Sequence, residues 1–214
     1  MRSECENEGR THVLEAGRPD DVALAARLLR EGRIVAFPTE TVYGLGVRGD
    51  YPAAVERLYE LKGRPREKRF VLLIASAEEM ERHAAPGALA GRLARAFWPG
   101  PLTLVLPDGR GGTVGLRCTD HEAARELVRL AGAPVAAPSA NMSGEPPALS
   151  AEEVLRAFAG RIAAVLDGGP ARIGEPSSVV RIIGNELEVL RHGAIGEAAL
   201  RAAAGEAGEE GEAG

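Results

Sequence analysis

Apolar residues recur at helical spacing in several stretches of the chain and gather into short unbroken runs between them. Over residues 19–31, Val22, Ala25, Leu28 and Leu29 fall on one side of a helix; Asp20 is placed to cap its start and Gly32 to stop it. Residues 33–37 are a short apolar run closed by Pro38, the pattern of a buried strand. Helical spacing returns over 52–61, with Pro52 in the first turn. Residues 70–75 predict a strand, Ser76 with Glu79 a capping box, and 89–97 a helix that ends before Pro99. Strands at 102–106 and 114–118 flank the glycine-rich turn DGRGG, and Asp120 is placed to cap a helix over 121–131. Residues 135–137 form a short strand that runs into Pro138. Ser150 and Glu153 make a second capping box, opening a helix that reaches Ala159. Strands follow at 163–166, 178–183 and 187–190, the last two joined by a Gly184-Asn185 hairpin turn, before a short helix over 196–203.

Interleaved strands and helices place the chain in the α/β class, with a mixed, twisted sheet. Neither a linker nor a repeat interrupts residues 11–200. The expected organisation is a single domain over 11–204 with flexible tails at 1–10 and 205–214. A chain of 214 residues suits one such domain. Four of the glutamates behind the net charge of −5 fall in the last ten residues, so the body is near neutral and does not repel an anionic ligand. No apolar run nears the roughly 18 residues needed to span a bilayer. The first ten residues are polar and acidic, unlike a secretion signal, which points to the cytosol and away from a membrane. Cys5, Cys118 and four scattered histidines show neither a disulfide framework nor metal-ligand spacing. Lysine occurs only at Lys62 and Lys68, in a chain whose other 24 side-chain cations are arginine. A compact ammonium there is either chance or a chemical need that a planar guanidinium does not meet.

Four segments carry candidate chemistry. PTETVYGLG (38–46) follows a strand and offers Thr39, Glu40, Thr41 and Tyr43 before two glycines. Its hydroxyls suit a small polar substrate at a strand end, or equally a polar turn that caps the next element. KGRPREK (62–68) alternates Lys62, Arg64, Arg66 and Lys68 with other residues, and Pro65 disfavours helix. Read as extended chain, it puts four cations on one side about 7 Å apart, which fits a polyphosphate. The plainer reading is a solvated basic loop after a helix. In APSANMSG (137–144), Ser139, Asn141 and Ser143 alternate after a strand; they suit phosphate oxygens or an adenine edge, or a turn closed by its own side chains. In GEPSSVV (174–180), Ser177 precedes a strand and Arg191 follows one, which alone decides little.

In order and together, these segments resemble the YrdC family, the threonylcarbamoyl-AMP synthases. The matching pieces are GRIVAFPTETVYGLG (32–46), KGRPREK, WPGPLTLVL (98–106), TVGLRCTDH (113–121), PVAAPSANMSG (134–144), DGG (167–169), PSSVV (176–180) and VLRHG (189–193). The KxR pair with the SxN triplet is the hallmark of that family. The resemblance implies a YrdC-like twisted open sheet with flanking helices around a concave basic cleft. It implies condensation of L-threonine, bicarbonate or CO2 and ATP into threonylcarbamoyladenylate, with release of pyrophosphate, for threonylcarbamoyladenosine modification of tRNA. Carried over by motif, Thr41, Arg117 and Ser177 would hold threonine. Lys62, Arg64, Lys68, Thr113, Ser139, Asn141 and Arg191 would hold ATP, with Lys62 and Arg64 nearest the reacting groups as the catalytic pair. Magnesium would arrive with the ATP phosphates, without a dedicated protein site. The implied partners are a downstream tRNA-modifying transferase complex and tRNA itself.

The chain departs from the family at Lys68-Arg69-Phe70, where Lys-Pro-Leu is frequent, near Leu73, where some members carry a threonine-binding histidine, and at Ser177-Ser178, where Ser-Thr is frequent. It is also expected to lack the second, C-terminal domain of a longer branch. Two rival classes remain at this stage: an RNA-binding module that uses the same basic cleft without chemistry, and an enzyme that uses the same fold for another carbamoyl transfer.

Overall fold

Every residue from 34 to 47 is buried, and this segment is the hairpin on which the rest of the molecule is built. β2 (Val35–Phe37) passes through residues 38–43 into the antiparallel β3 (Gly44–Arg48). The computed structural model describes residues 9–205. The remaining strands are β1 (His12–Glu15), β4 (Leu72–Leu73), β5 (Leu102–Pro107), β6 (Thr113–Arg117), β7 (Val135–Ala136), β8 (Ala164–Asp167), β9 (Ser178–Ile183) and β10 (Glu186–Arg191). They form one mixed open sheet of ten strands in the order β1-β8-β2-β3-β7-β4-β6-β5-β9-β10.

Alternation along the strands distributes side chains between two covered faces. Val35 and Phe37 pack with α1 (Pro19–Arg30) and α5 (Glu122–Ala131). Ile34 and Ala36 point the other way, to α2 (Pro52–Lys62) and α6 (Ala151–Phe158). Toward the other end of the sheet, Leu102, Leu104 and Leu106 join α4 (Ala88–Phe97) and α7 (Glu197–Ala204) in a third apolar cluster. The short α3 (Met80–His83) completes the helices. No helix among the described residues is long and apolar enough to cross a membrane.

Several expectations are corrected. β3 was hidden because Gly44 and Gly46 read as loop punctuation. In the structure Gly46 leaves room for the side chains of neighbouring strands: a Cβ there would sit 2.5 Å from the Phe37 ring and 2.8 Å from Val135. Gly46→Ala should therefore cost about 1–3 kcal/mol by overpacking, measurable as a lowered urea midpoint. The strand over 70–75 shortens to Leu72–Leu73. Ser76 makes no side-chain cap; Glu79 Oε2 instead accepts the Ala75 N–H at 3.3 Å. Asp120 does not cap α5, whose N-cap is His121; its carboxylate pairs with Arg172 at 2.8 Å. The capping box at Ser150 is present, with Glu153 N–H donating to Ser150 Oγ at 3.2 Å. The expected tails at 1–10 and 205–214, and Cys5 within the first, lie outside the described residues except for 9, 10 and 205.

Candidate active site

Sheet order decides what meets at the site. β3 and β7 run antiparallel, so the residues before β3 lie beside those after β7. The Leu45 N–H donates to Pro138 O at 2.9 Å and the Ala140 N–H to Tyr43 O at 2.7 Å. PTETVY and APSAN are thereby joined. On β5 the leucines turn inward and Thr103 faces the opposite side. Thr103 is in register with Val179 of β9, and Val179 with Arg191 of β10. Between these two groups lies a cavity of about 820 Å³, open solvent at its mouth included. Thr41, Arg64, Arg117, Ser139, Ser177 and Arg191 line it, six of the ten residues carried over from the motifs.

The floor is a buried polar network. Arg117 Nη2 donates to Glu40 Oε1 at 2.8 Å and to Thr41 Oγ1 at 2.9 Å, while its Nε reaches Gly100 O at 3.3 Å. Thr119 Oγ1 donates to the second Glu40 oxygen. Thr39 and Thr41 hydroxyls share a hydrogen bond of 2.8 Å, and Thr39 Oγ1 donates to Val42 O at 2.6 Å. Burial pushes the Glu40 carboxyl up, but the Arg117 charge and the hydrogen bonds from Thr119 and Arg117 outweigh it, so Glu40 is held below its usual range. Behind it, Tyr43 OH donates to Gly169 O at 2.7 Å and fixes the 167–169 turn; burial raises its pKa to about 12.

The far wall is cationic. Arg191 Nη2 donates to Ser177 O at 2.8 Å and to Ser177 Oγ at 3.1 Å, and Ser177 Oγ lies 2.9 Å from Thr103 Oγ1. Arg64 is steered by its Nε bond to Lys68 O at 2.8 Å and lies over the Phe70 ring, 5.5 Å from its centre. Burial, and then the charges of Arg117 and Arg64, lower the pKa of Arg191. The charges of Arg117 and Arg64 thus repel that of Arg191 across a common space, a field that an anion would relieve.

The KGRPREK segment does not run as an extended strip. Lys62 ends α2, Gly63 takes the left-handed conformation with φ 58°, and the Lys68 N–H closes a turn onto Pro65 O. Arg66 folds back to Glu56. Lys62 is 2% exposed. Its Nζ donates to Ser139 O at 2.6 Å, to Asn141 O at 2.5 Å and to Asn141 Oδ1 at 3.4 Å. The lysine therefore meets the serine-asparagine turn directly, from beneath rather than across the cavity. Asn141 is likewise turned to its own loop, with Oδ1 accepting from Ser139 Oγ at 2.6 Å and Nδ2 donating to Glu145 O at 2.6 Å. Lys68 is exposed and contributes its carbonyl to Arg64 and Tyr59. Thr113 lies in an adjoining hollow reached through Arg69, which lines both spaces. Sequence reasoning named Glu40 only as one polar residue of the PTETVYGLG segment, without a role, and missed Thr103. Thr103 had a signal: it is the one polar residue in the run LTLVL.

The model of the Sua5/YciO/YrdC family, described as "Telomere recombination", matches residues 27–193. A threonylcarbamoyl-AMP synthase of Pyrococcus abyssi is 45% identical over 184 residues, 81% of this chain and 54% of that protein, so the chain spans about half the length of this relative. One from Vibrio parahaemolyticus is 33% identical over 174 residues, 75% of this chain and 93% of that protein. The crystal structure of P. abyssi Sua5 complexed with L-threonine superposes with a TM-score of 0.83 at 40% identity, covering 92% of this chain and 61% of that one. The order of the motifs, the mixed ten-stranded sheet and the match over most of its length place this chain in the Sua5/YciO/YrdC family.

Proposed function

We propose that the chain is an L-threonylcarbamoyladenylate synthase. The observation that carries this reading is the meeting of Arg64, Arg117 and Arg191 with the hydroxyls of Thr41, Ser139 and Ser177 around one cavity. Relatives named threonylcarbamoyl-AMP synthase, and a structural neighbour complexed with L-threonine, support it. Threonine binds at Thr41, Arg117 and Ser177. The triphosphate lies toward Arg64, Ser139 and Arg191, with Lys68 and Thr113 at its outer reaches. Lys62 and Asn141 serve it by shaping the turn that carries Ser139.

The threonine amine and CO2 form a carbamate with loss of a proton. The carbamate oxygen attacks the α-phosphorus of ATP, a new O–P bond forms, and the bond to the β-phosphate oxygen breaks to release pyrophosphate. Both partners are anionic, so the barrier contains charge repulsion that fixed guanidinium groups offset. Holding the reactants together lowers its entropic part. Magnesium would come with the triphosphate. Its ligands would be the phosphate oxygens and water, and Glu40, the carboxylate beneath the cavity, is already engaged by Arg117 and Thr119. The adenylate would pass, in the cytoplasm, to a tRNA-modifying transferase complex, with tRNA contact part of the same proposal.

The test is pyrophosphate release from ATP, bicarbonate and threonine, with threonine omitted as control. Threonine-dependent release is expected. Release that is independent of threonine, or none at all, rejects the reading.

A further inference from the structure

Glu40 has no role in the scheme above, yet it lies buried beneath the cavity, bonded to Arg117, which lines it. It is 3% exposed, and both carboxylate oxygens are engaged, one by Arg117 and the other by Thr119. Its main chain is also held, because the Ile173 N–H donates to Glu40 O at 2.8 Å. A buried ion pair of this kind seldom stabilises a fold more than apolar residues of the same size would, so its presence calls for another account. Arg117 supplies one. Of the four arginines that line the cavity, Arg64, Arg69, Arg117 and Arg191, it alone among the described residues is ion-paired with a carboxylate. Arg64 and Arg191 share its space with like charge. Without a fixed anion behind it, the Arg117 head would be pushed off the cavity floor. With Glu40 and Thr41 both on Nη2 and Gly100 on Nε, its plane is set from two sides. Among the described residues Nη1 makes no hydrogen bond, and it is left to the cavity that Arg117 lines.

We propose that Glu40 is a positioning residue for the carboxylate of the amino-acid substrate: it clamps Arg117 so that the free edge of the guanidinium meets that carboxylate, and so governs the affinity for the amino acid and not for the nucleotide. This rests on the function proposed above.

The experiment measures KM for threonine and for ATP, and kcat, in the wild type, Glu40→Gln and Thr119→Val by pyrophosphate release. Glu40→Gln keeps shape and removes charge. It should raise the threonine KM about 10- to 100-fold, the range for loss of a charged hydrogen bond, while the ATP KM moves by no more than about twofold. Thr119→Val removes the hydroxyl on the far carboxylate oxygen and should move the same parameter about three- to tenfold. A merely structural role would shift both KM values together or lower kcat alone, and either result overturns the assignment. If Glu40→Gln does not fold, the split between the two KM values in Thr119→Val decides. A wild-type chain without threonine-dependent release overturns the proposed function and this role with it. An active wild type with unchanged threonine KM in the variants overturns the role of Glu40 alone.

Discussion

Replacing Arg117 by methionine should lower the unfolding free energy by about 3–5 kcal/mol, because it leaves Glu40 buried and without its counter-charge. For a chain of this size that is a fall in Tm of roughly 6–20 °C. In the intact protein Glu40 is held below its usual carboxylate range, so its contribution is present above the unfolded value of 4.5 and is lost as pH falls through the folded value. In Arg117→Met the balance reverses: burial remains, the arginine is gone, and the carboxyl is pushed above 4.5. Protonation then relieves the variant, and its stability declines as pH rises through that raised value. The gap between wild type and variant should therefore be widest at neutral pH and narrow on acidification, a trend that thermal denaturation at pH 7 and near pH 4.5 will show. Turnover at low threonine should fall by roughly 30-fold or more, as expected when one partner of a buried ionic contact is removed. A Tm within a degree of wild type would mean that Glu40 does not depend on Arg117.

The part of this site visible in the sequence was the part written in short motifs. Thr41, Arg64 and Ser139 stand in segments whose residue types alone suit a polar ligand, Ser177 and Arg191 flank strands in a pattern that alone decides little, and Arg117 enters only through the resemblance to the YrdC family; the structure brings all six to one cavity. Glu40 was seen only as one polar residue among threonines, because its partner is 77 positions away and reaches it only through the sheet. The fold shows the same division. The helices carried their own spacing and stops, and the Gly184-Asn185 hairpin its own turn. β3 and β1 did not, since one is rich in glycine and the other, HVLE, buries only Leu14; both are strands by virtue of their neighbours, β2 and β7 for the first and β8 for the second. The KGRPREK segment shows why alternation alone misleads. Pro65 rules out helix at its own position and just before, but Lys62 stands three residues earlier, still inside α2 and ahead of the glycine that ends it.

That placement changes the expected result for Lys62. From the motif alone, either Lys62 or Arg64 could be removed with loss of activity and no loss of folding. Arg64 remains such a case, for it is partly exposed and has no carboxylate partner among the described residues. Lys62→Met should instead lower stability by about 2–4 kcal/mol, because the buried Asn141 carbonyl and its side-chain amide oxygen lose the ammonium that joins them to α2. The turn bearing Ser139 would shift with it, and a displacement of about 1 Å there is enough to lower turnover about 100-fold. Burial, and then the Arg64 charge, bring the Lys62 pKa down from 10.5 to about 8. Between those two values the unfolded chain binds a proton that the folded chain does not, so this side chain's contribution to stability rises with pH in that window. The difference in Tm between wild type and Lys62→Met should accordingly be larger at pH 9 than at pH 7. A constant difference across that range would show that Lys62 stays fully charged in its place, and a difference near zero at both would show that the turn is held by other bonds.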